Sequence, residues 1–327
     1  MLFVDNQETI DPKLNLAIEE HLLRNVRLTE PVLLFYINEP AVIIGRNQNT
    51  VEEIDPDFIR ENNIHVVRRL SGGGAVYHDL GNLNFSFITQ GKQDLHNFGK
   101  FVQPVIAVLG QLGVTAVLQG KSDIFVDGKK VSGNAQYAAA GRMFSHGTIL
   151  FNTSIKNMLQ AINPRQLTIE SNAVQSVRTF VTNIQEHLPE KMDIMQLRQA
   201  LLDGIFGGKD IPTYPLSEED WGQIREISAQ RYMNWEWNYG RSPASTIQKS
   251  ERLSVGKVDT HIAVEKGHIQ AIKIYGDFSG QQDISELETQ LIGLRYDAKT
   301  VADALENIDL TVYFGFLEKE AFLNLLF

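Results

Sequence analysis

Three consecutive glycines sit inside Arg68-Arg69-Leu70-Ser71-Gly72-Gly73-Gly74-Ala75-Val76-Tyr77-His78-Asp79-Leu80-Gly81-Asn82, near the middle of the N-terminal half of a 327-residue chain. A glycine triplet removes Cβ atoms where a backbone must bend sharply or lie against a ligand, and its amides can line an anion site. A glycine-rich turn joining two strands, with Arg68 and Arg69 in solvent, explains the same string, so the triplet alone leaves both readings open. Neither standard phosphate loop fits. A dinucleotide fingerprint beginning at Gly72 needs Gly where Tyr77 stands, and Gly120-Lys121-Ser122 lacks its partner because Thr115 occupies the first Gly position.

Around the triplet, short apolar runs alternate with helical patterns. Asp11 before Pro12 marks a helix start, and Leu14, Ala17, Ile18 and Leu22 recur at helical spacing as a core-facing stripe. VLLFYI, AVIIG and HVVRRL read as strands, and Leu83, Phe85 and Phe87 alternate with Asn84 and Ser86 as a strand with one buried face. Helical spacing returns over residues 101–112, 154–162 and 192–206, and Ser217 with Asp220 forms a capping box. From Leu253 to Tyr275 the chain alternates like a meander, with a turn near Lys266-Gly267, and residues 284–294, 301–308 and 319–326 read as short helices. The change of pattern places a domain boundary near residue 247, giving units 1–247 and 248–327.

Asp127-Gly128 within Asp123-Ile124-Phe125-Val126-Asp127-Gly128-Lys129-Lys130-Val131-Ser132 predicts a two-residue hairpin turn, because both central positions need positive φ. With those two residues in the turn, Val126 pairs with Lys129, Phe125 with Lys130 and Asp123 with Ser132. Alternation then puts Asp123, Phe125, Lys130 and Ser132 on one face and Lys129 on the other. Two adjacent lysines therefore cannot share one role.

Composition excludes several classes. With 43% hydrophobic and 21% charged residues the chain is an ordinary folded globular protein of about two domains. Its net charge of −10 repels phosphate backbones and anionic lipid, which argues against nucleic-acid and membrane partners. The absence of cysteine removes disulfides, Cys-bearing metal sites and thiolate nucleophiles. No apolar run reaches the length of a membrane span and the first residues lack a leader pattern, so a cytoplasmic location is expected. Among eight histidines no metal-ligand spacing occurs; His96, His187 and His261 read as surface or satisfied residues, whereas His78 and His146 lie beside glycines where a ligand can approach.

RRLSGGGAVYHDLGNLNFSF, SDIFVDGKKVSGNAQ, HGTILFN, SVRTFVTNI and WEWNYGRSP occur in an order and spacing that closely resemble the lipoate-protein ligases of the single-chain bacterial type, within the biotin and lipoate ligase superfamily. The resemblance implies an α+β fold: a large catalytic domain with a mainly antiparallel sheet flanked by helices, similar to biotin ligases and class II synthetases, and a small C-terminal α+β domain on a flexible link. Because adenylation needs closure against water and transfer needs an opening for the acceptor, the small domain is expected to move between half-reactions. It also implies that ATP and lipoate give lipoyl-adenylate, after which a lysine of a lipoyl domain accepts the acyl group. The acceptors expected are lipoyl domains of 2-oxoacid dehydrogenase complexes or the glycine cleavage H protein.

By family position Lys130 is the catalytic residue and touches both ATP and lipoate. Arg69, Gly74, Ala75, Val76, Tyr77 and Asp123 contact ATP, Ser71, Gly72, Gly73 and His78 border the lipoyl group, and Asp123 is the candidate ligand of Mg²⁺. For an ammonium between carboxylate and α-phosphate, one close opposite charge is worth about 4 kcal/mol before desolvation at an effective dielectric of 20. Where some members carry Arg after the hairpin this chain has Tyr137, so that contact is not carried over, and Arg46 and Arg142 are the candidate substitutes. Three alternatives stand beside this reading: a biotin-protein ligase, disfavoured because RRLSGGG replaces its biotin loop; a cysteine-free amidotransferase using preformed lipoyl-adenylate; and a non-enzymatic lipoate-binding module.

Overall fold

The computed structural model describes residues 1–27, 29–162, 180–208, 210–242, 245–276, 278 and 281–327. Ser176 to Thr179 and Pro243, parts of two of the family-like strings, lie outside the described residues. The chain divides into two compact units, Met1–Gln48 with Glu52–Asn234 and Asn49–Val51 with Trp235–Phe327. The division at Asn234/Trp235 precedes the boundary read near residue 247. Trp235 packs inside the second unit, where Arg295 lies 4.4 Å over its ring and a Cβ on Gly267 would stand 2.6 Å from its edge.

Among the described residues, fifteen strands order the chain. The first unit holds β1 (Leu2–Asp5), β2 (Val32–Ile37), β3 (Ala41–Ile44), β4 (His65–Arg68), β5 (Val76–His78), β6 (Asn82–Gln90), β7 (Ala116–Gln119), β8 (Asp123–Val126), β9 (Lys129–Ser132), β10 (Asn134–Ala139), β11 (Arg142–Leu150) and β12 (Thr213–Tyr214). The second holds β13 (Ser245–Leu253), β14 (Gly256–Glu265) and β15 (His268–Gly276). The main sheet has the order β10-β11-β6-β2-β1-β12, antiparallel from β10 to β2 and parallel across β2, β1 and β12. Among the described residues this unit also holds two smaller sheets, β4-β3-β5 and β7-β8-β9.

One face of the main sheet is apolar. Leu83, Phe85 and Phe87 of β6 pack with Phe101, Val102 and Val105 of the helix Phe98–Gln111 and with Leu197 and Leu201 of the helix Ile194–Phe206. Each such side chain contributes roughly 1.5–3 kcal/mol on burial. The opposite face departs from the simple alternation, because Asn84 and Ser86 are as buried as their apolar neighbours. Their face is polar, yet it lies under other chain segments, and it becomes the floor of a cavity.

The helix Pro12–Arg24 begins as Asp11 dictates: its carboxylate accepts the Lys13 N–H at 2.8 Å, and Pro12 takes the first position. Its burial differs from the Leu14 stripe. Leu14 is half-buried, whereas Asn15, Glu19, Glu20 and His21 are fully buried along with Leu16, Ile18 and Leu22. The capping box of Ser217 and Asp220 forms, and Asp127 and Gly128 both adopt positive φ in the hairpin turn.

The second unit is a meander, β13-β14-β15, turning at Lys266 and Gly267, with the helices Ile284–Leu291, Ala298–Leu305 and Lys319–Leu326 packed on one face. Val258, Ile262, Ile272, Leu287, Val301 and Phe322 form its core. Among the described residues no helix is long and apolar enough to cross a membrane.

Candidate active site

The register of the main sheet sets the floor. Tyr36 stands opposite Asn84, which stands opposite Thr148, and in the next rung on the same face Leu34, Ser86, His146 and Ala135 follow one another. Tyr36, Asn84, Ala135, His146 and Thr148 line a cavity of about 240 Å³. Ile43, paired with Val76, and Leu16 of the first helix give it an apolar side. Gly73, Gly74 and Ala75 form its rim, and Ser122, Asp123, Lys130 and Asn134 give it a polar end.

The arginines before the triplet are not in solvent. Arg68 is fully buried, donating through Nη1 to the carbonyls of Gly45, Arg46 and Gln48. Arg69 donates from Nε to Ser71 Oγ at 3.0 Å, from Nη1 to Ile43 O at 3.0 Å, and from Nη2 to the carbonyls of Gly72 and Gly74 at 2.7 and 2.8 Å. Burial lowers its pKa to about 10, which leaves it charged at neutral pH. Its guanidinium is thus the internal brace of the glycine loop and also lines the cavity.

The three glycines are not equivalent. Gly73 has φ +93°, a conformation that L side chains rarely adopt, while around Gly72 and Gly74 a Cβ would meet nothing within 4 Å. The fold requires glycine at 73. Gly45 is required for another reason: a Cβ there would stand 1.9 Å from the Gly73 carbonyl oxygen, where two backbones cross.

Lys130 Nζ lies 2.8 Å from Asp123 Oδ2, and both side chains are about one-third exposed. The facing argument holds for this pair. It fails for Ser132, because β9 carries a bulge at Val131 that shifts the register, so Ser132 pairs with Ile124 instead of Asp123. Ser132 and Val131 are both buried, Ser132 accepting from Asn134 Nδ2 at 3.1 Å. Lys129 pairs with Val126 and does not line the cavity.

The remaining expected residues divide. Val76 and His78 of β5 face the cavity, and Tyr77 between them is buried on the opposite side of the strand. Ser71 is fully buried behind the rim, and Gly72 is not part of the lining. Arg142 donates to the carbonyls of Leu22, Leu23 and Val26 at the end of the first helix, which removes it as a substitute for an arginine at 137. Arg46 lies 5.2 Å over the ring of Tyr137.

Several functional candidates were missed by sequence reasoning. Glu19 accepts from His146 Nδ1 at 2.9 Å, and His146 Nε2 is 2.7 Å from Ser71 Oγ. Asn38 Nδ2 is 2.9 Å from His78 Nδ1. The His78 pKa is lowered to about 3, first by burial and then by Arg69, so this imidazole is neutral. Burial also pushes the Tyr36 phenol well above its usual value, reinforced by Glu19. The available signal was Asn15 and Glu19 spaced four apart in a buried helix.

The mixed α+β fold thus holds a cavity that joins an apolar side to a lysine–aspartate end. The lipoyl protein ligase A/B catalytic domain matches residues 11–206, and the bacterial lipoate protein ligase C-terminus matches residues 242–326. The chain belongs to the lipoate-protein ligase family. It is 51% identical to lipoate-protein ligase LplJ of Bacillus subtilis and 43% identical to lipoate-protein ligase 1 of Staphylococcus aureus, in each case over all of both chains. Among solved structures it resembles a bi-partite lipoate protein ligase from Thermoplasma acidophilum, described together with its E2 lipoyl domain, at 28% identity and TM-score 0.66, covering 75% of this chain and 98% of that one. A Thermoplasma acidophilum protein with bound lipoic acid (28%, TM-score 0.62, 73% and 97%) and a lipoate-protein ligase A bound with ATP (29%, TM-score 0.62, 74% and 98%) are similar to the same extent.

Proposed function

We propose that this ligase activates lipoate with ATP as lipoyl-adenylate and then passes the acyl group to a lysine of a lipoyl domain, with the first unit catalytic and the second accessory. The observation that carries the reading is the meeting of Lys130 and Asp123 with Gly73 to Val76 and His78 around one cavity that is apolar on its other side. The lipoic acid and ATP bound by two structural relatives support the same pair of substrates.

In the first step a lipoate carboxylate oxygen attacks the α-phosphorus, and the bond to the bridging oxygen breaks, releasing pyrophosphate with its electron pair. Lys130 sits between the two anions and offsets part of their repulsion, one close opposite charge being worth about 4 kcal/mol before desolvation and solvent screening. In the second step a neutral lysine amine attacks the acyl carbonyl, the bond to AMP breaks, and the amine sheds its proton. Arg69 faces phosphate, while Gly74, Ala75, Val76 and Tyr77 follow the nucleotide with their backbones, and Gly73 and His78 border the lipoyl group, Ser71 and Gly72 holding the loop from behind through their bonds to Arg69. The cavity is smaller than the roughly 300–1,000 Å³ common for drug-sized ligands, which suits the acyl chain alone and leaves the nucleotide along the glycine rim.

Mg²⁺ fits in a limited way. Among the described residues no group of three or more histidine, aspartate or glutamate side chains is placed to hold a metal ion, and Asp123 is the carboxylate on the lining. That matches an ion held by one carboxylate with the nucleotide supplying its other ligands, where it would neutralise phosphate charge. The acceptors would be lipoyl domains of 2-oxoacid dehydrogenase complexes or the glycine cleavage H protein, and the E2 lipoyl domain of the archaeal system supports the former. A cytoplasmic location accords with these acceptors.

Incubation with ATP, Mg²⁺ and lipoate but no acceptor tests the reading: pyrophosphate and tightly bound lipoyl-AMP should form, and biotin in place of lipoate should give neither. Transfer from preformed lipoyl-AMP without pyrophosphate release from ATP would identify an amidotransferase instead.

A further inference from the structure

His78 is 3% exposed, lines the cavity and has no hydrogen-bond partner on Nε2. Its other nitrogen is tied to a chain of three asparagines whose orientation can be worked out from backbone carbonyls. Asn15 Nδ2 lies 2.8 Å from Thr9 O and 3.3 Å from Ile37 O, and carbonyl oxygens only accept, so this atom is the amide nitrogen. The same NH₂ group donates to Asn38 Oδ1 at 2.8 Å, and Asn6 Nδ2, itself 2.8 Å from Thr9 O, donates to Asn15 Oδ1 at 2.8 Å. With its oxygen turned to Asn15, Asn38 presents Nδ2–H to His78 Nδ1. A neutral imidazole that accepts at Nδ1 carries its proton on Nε2.

We propose that Asn38 is a positioning residue that, held by Asn15 and Asn6, locks His78 as the Nε2–H tautomer, so that the imidazole offers one fixed, uncharged donor to an oxygen at the acyl end of the bound ligand. Burial supports the neutral state, the pKa of His78 lying at about 3. An uncharged donor can stabilise negative charge developing on the acyl carbonyl without competing with the Lys130 ammonium for the α-phosphate. The second histidine on the lining is held the other way round. Glu19 lies one helical turn after Asn15 and accepts from His146 Nδ1, which leaves His146 Nε2 to accept from Ser71. One helix face thus sets opposite tautomers in the two rings, and only His78 has a donor to spare.

The ligand assignment rests on the lipoate reading above, whereas the tautomer does not. Nitrogen-15 NMR of the ligand-free full chain, with His78→Gln used to assign the signal, should show a bare Nδ1 and a protonated Nε2. Asn38→Asp replaces the amide donor with an acceptor of the same shape and should move the proton to Nδ1. Lipoyl transfer should then fall about 100-fold in kcat, as for loss of one oriented donor, with KM for ATP within about twofold. His78→Gln, which keeps an N–H at a similar distance, should retain more activity than His78→Ala. Should Asn38→Asp fail to fold, Asn38→Ala should give mixed tautomers and about a tenfold loss.

A proton on Nδ1 in the unmodified protein, or a moved proton with transfer unchanged, would overturn the proposal. Absence of any lipoyl transfer by the unmodified protein would overturn the lipoate reading, and with it the assigned oxygen, while the NMR result still decides the lock.

Discussion

Arg69 and Glu19, buried charges of opposite sign, are joined through two intermediaries: Arg69 Nε donates to Ser71 Oγ at 3.0 Å, Ser71 reaches His146 Nε2 at 2.7 Å, and His146 Nδ1 donates to Glu19 at 2.9 Å. A guanidinium in the interior needs compensation, and here it is supplied by four hydrogen bonds and by a carboxylate acting from a distance.

Glu19→Gln should therefore destabilise the first unit by about 3 kcal/mol, since removing one member of a buried charge network leaves the other uncompensated. Ser71→Ala should cost about 1–3 kcal/mol by stripping a partner from both Arg69 and His146. Urea denaturation measures both. A loss under about 0.5 kcal/mol for Glu19→Gln would show that the chain of bonds carries no charge compensation.

Substitutions in the triplet should separate folding from binding. Gly73→Ala, at φ +93°, should lower stability by about 1–2 kcal/mol, whereas Gly74→Ala meets open space and should fold normally. If the nucleotide runs against this rim, Gly74→Ala should raise KM for ATP about tenfold. Unchanged KM would mean that the open space at Gly74 is not used by ATP.

The two adjacent lysines should behave differently. Lys130→Ala is expected to abolish adenylate formation, a loss of 1,000-fold or more, and Lys129→Ala to leave most of it, because only Lys130 lines the cavity beside Asp123. Pyrophosphate release in single-turnover reactions reads the contrast, and equal losses would contradict the facing.

Acid should weaken the fold through His78. Its folded pKa of about 3 lies below the ordinary 6.5, so between those values the unfolded chain holds a proton that the folded chain refuses. The contribution is complete above pH 6.5 and is lost as pH falls, by up to about 1.4 kcal/mol per unit, or about 2 kcal/mol at pH 5. Denaturation at pH 8 and pH 5 should show this extra loss in the unmodified protein relative to His78→Gln. Parallel losses in both would place the acid sensitivity elsewhere.

What could be read from the sequence was local. The Asp11 cap, the Ser217 box and the Asp127-Gly128 turn each depend on neighbours within three residues, and each forms. Lys130 was placed beside Asp123 because both lie within a few residues of that turn. Asn15, Glu19 and Asn38 escaped notice and Asn84 read as the exposed side of its strand, because a buried polar side chain is favourable only once distant partners arrive, and hydropathy alone reads it as surface. The parallel pairing of β1 with β2 and β12 has the same origin: contacts between remote segments leave no periodic trace. The bulge at Val131 was invisible since nothing in Lys-Val-Ser distinguishes an extra residue from a paired one.

That single additional residue works as a change of phase. Before it, the ribbon obeys ordinary alternation and turns its cation toward the cavity; after it, Val131 and Ser132 are both buried, and the chain passes to the main sheet with Gly133 next to the ammonium. Excising Val131 would restore a regular ladder while rotating everything downstream by half a turn, so any attempt to graft this ribbon onto another scaffold must carry its irregularity along with its lysine.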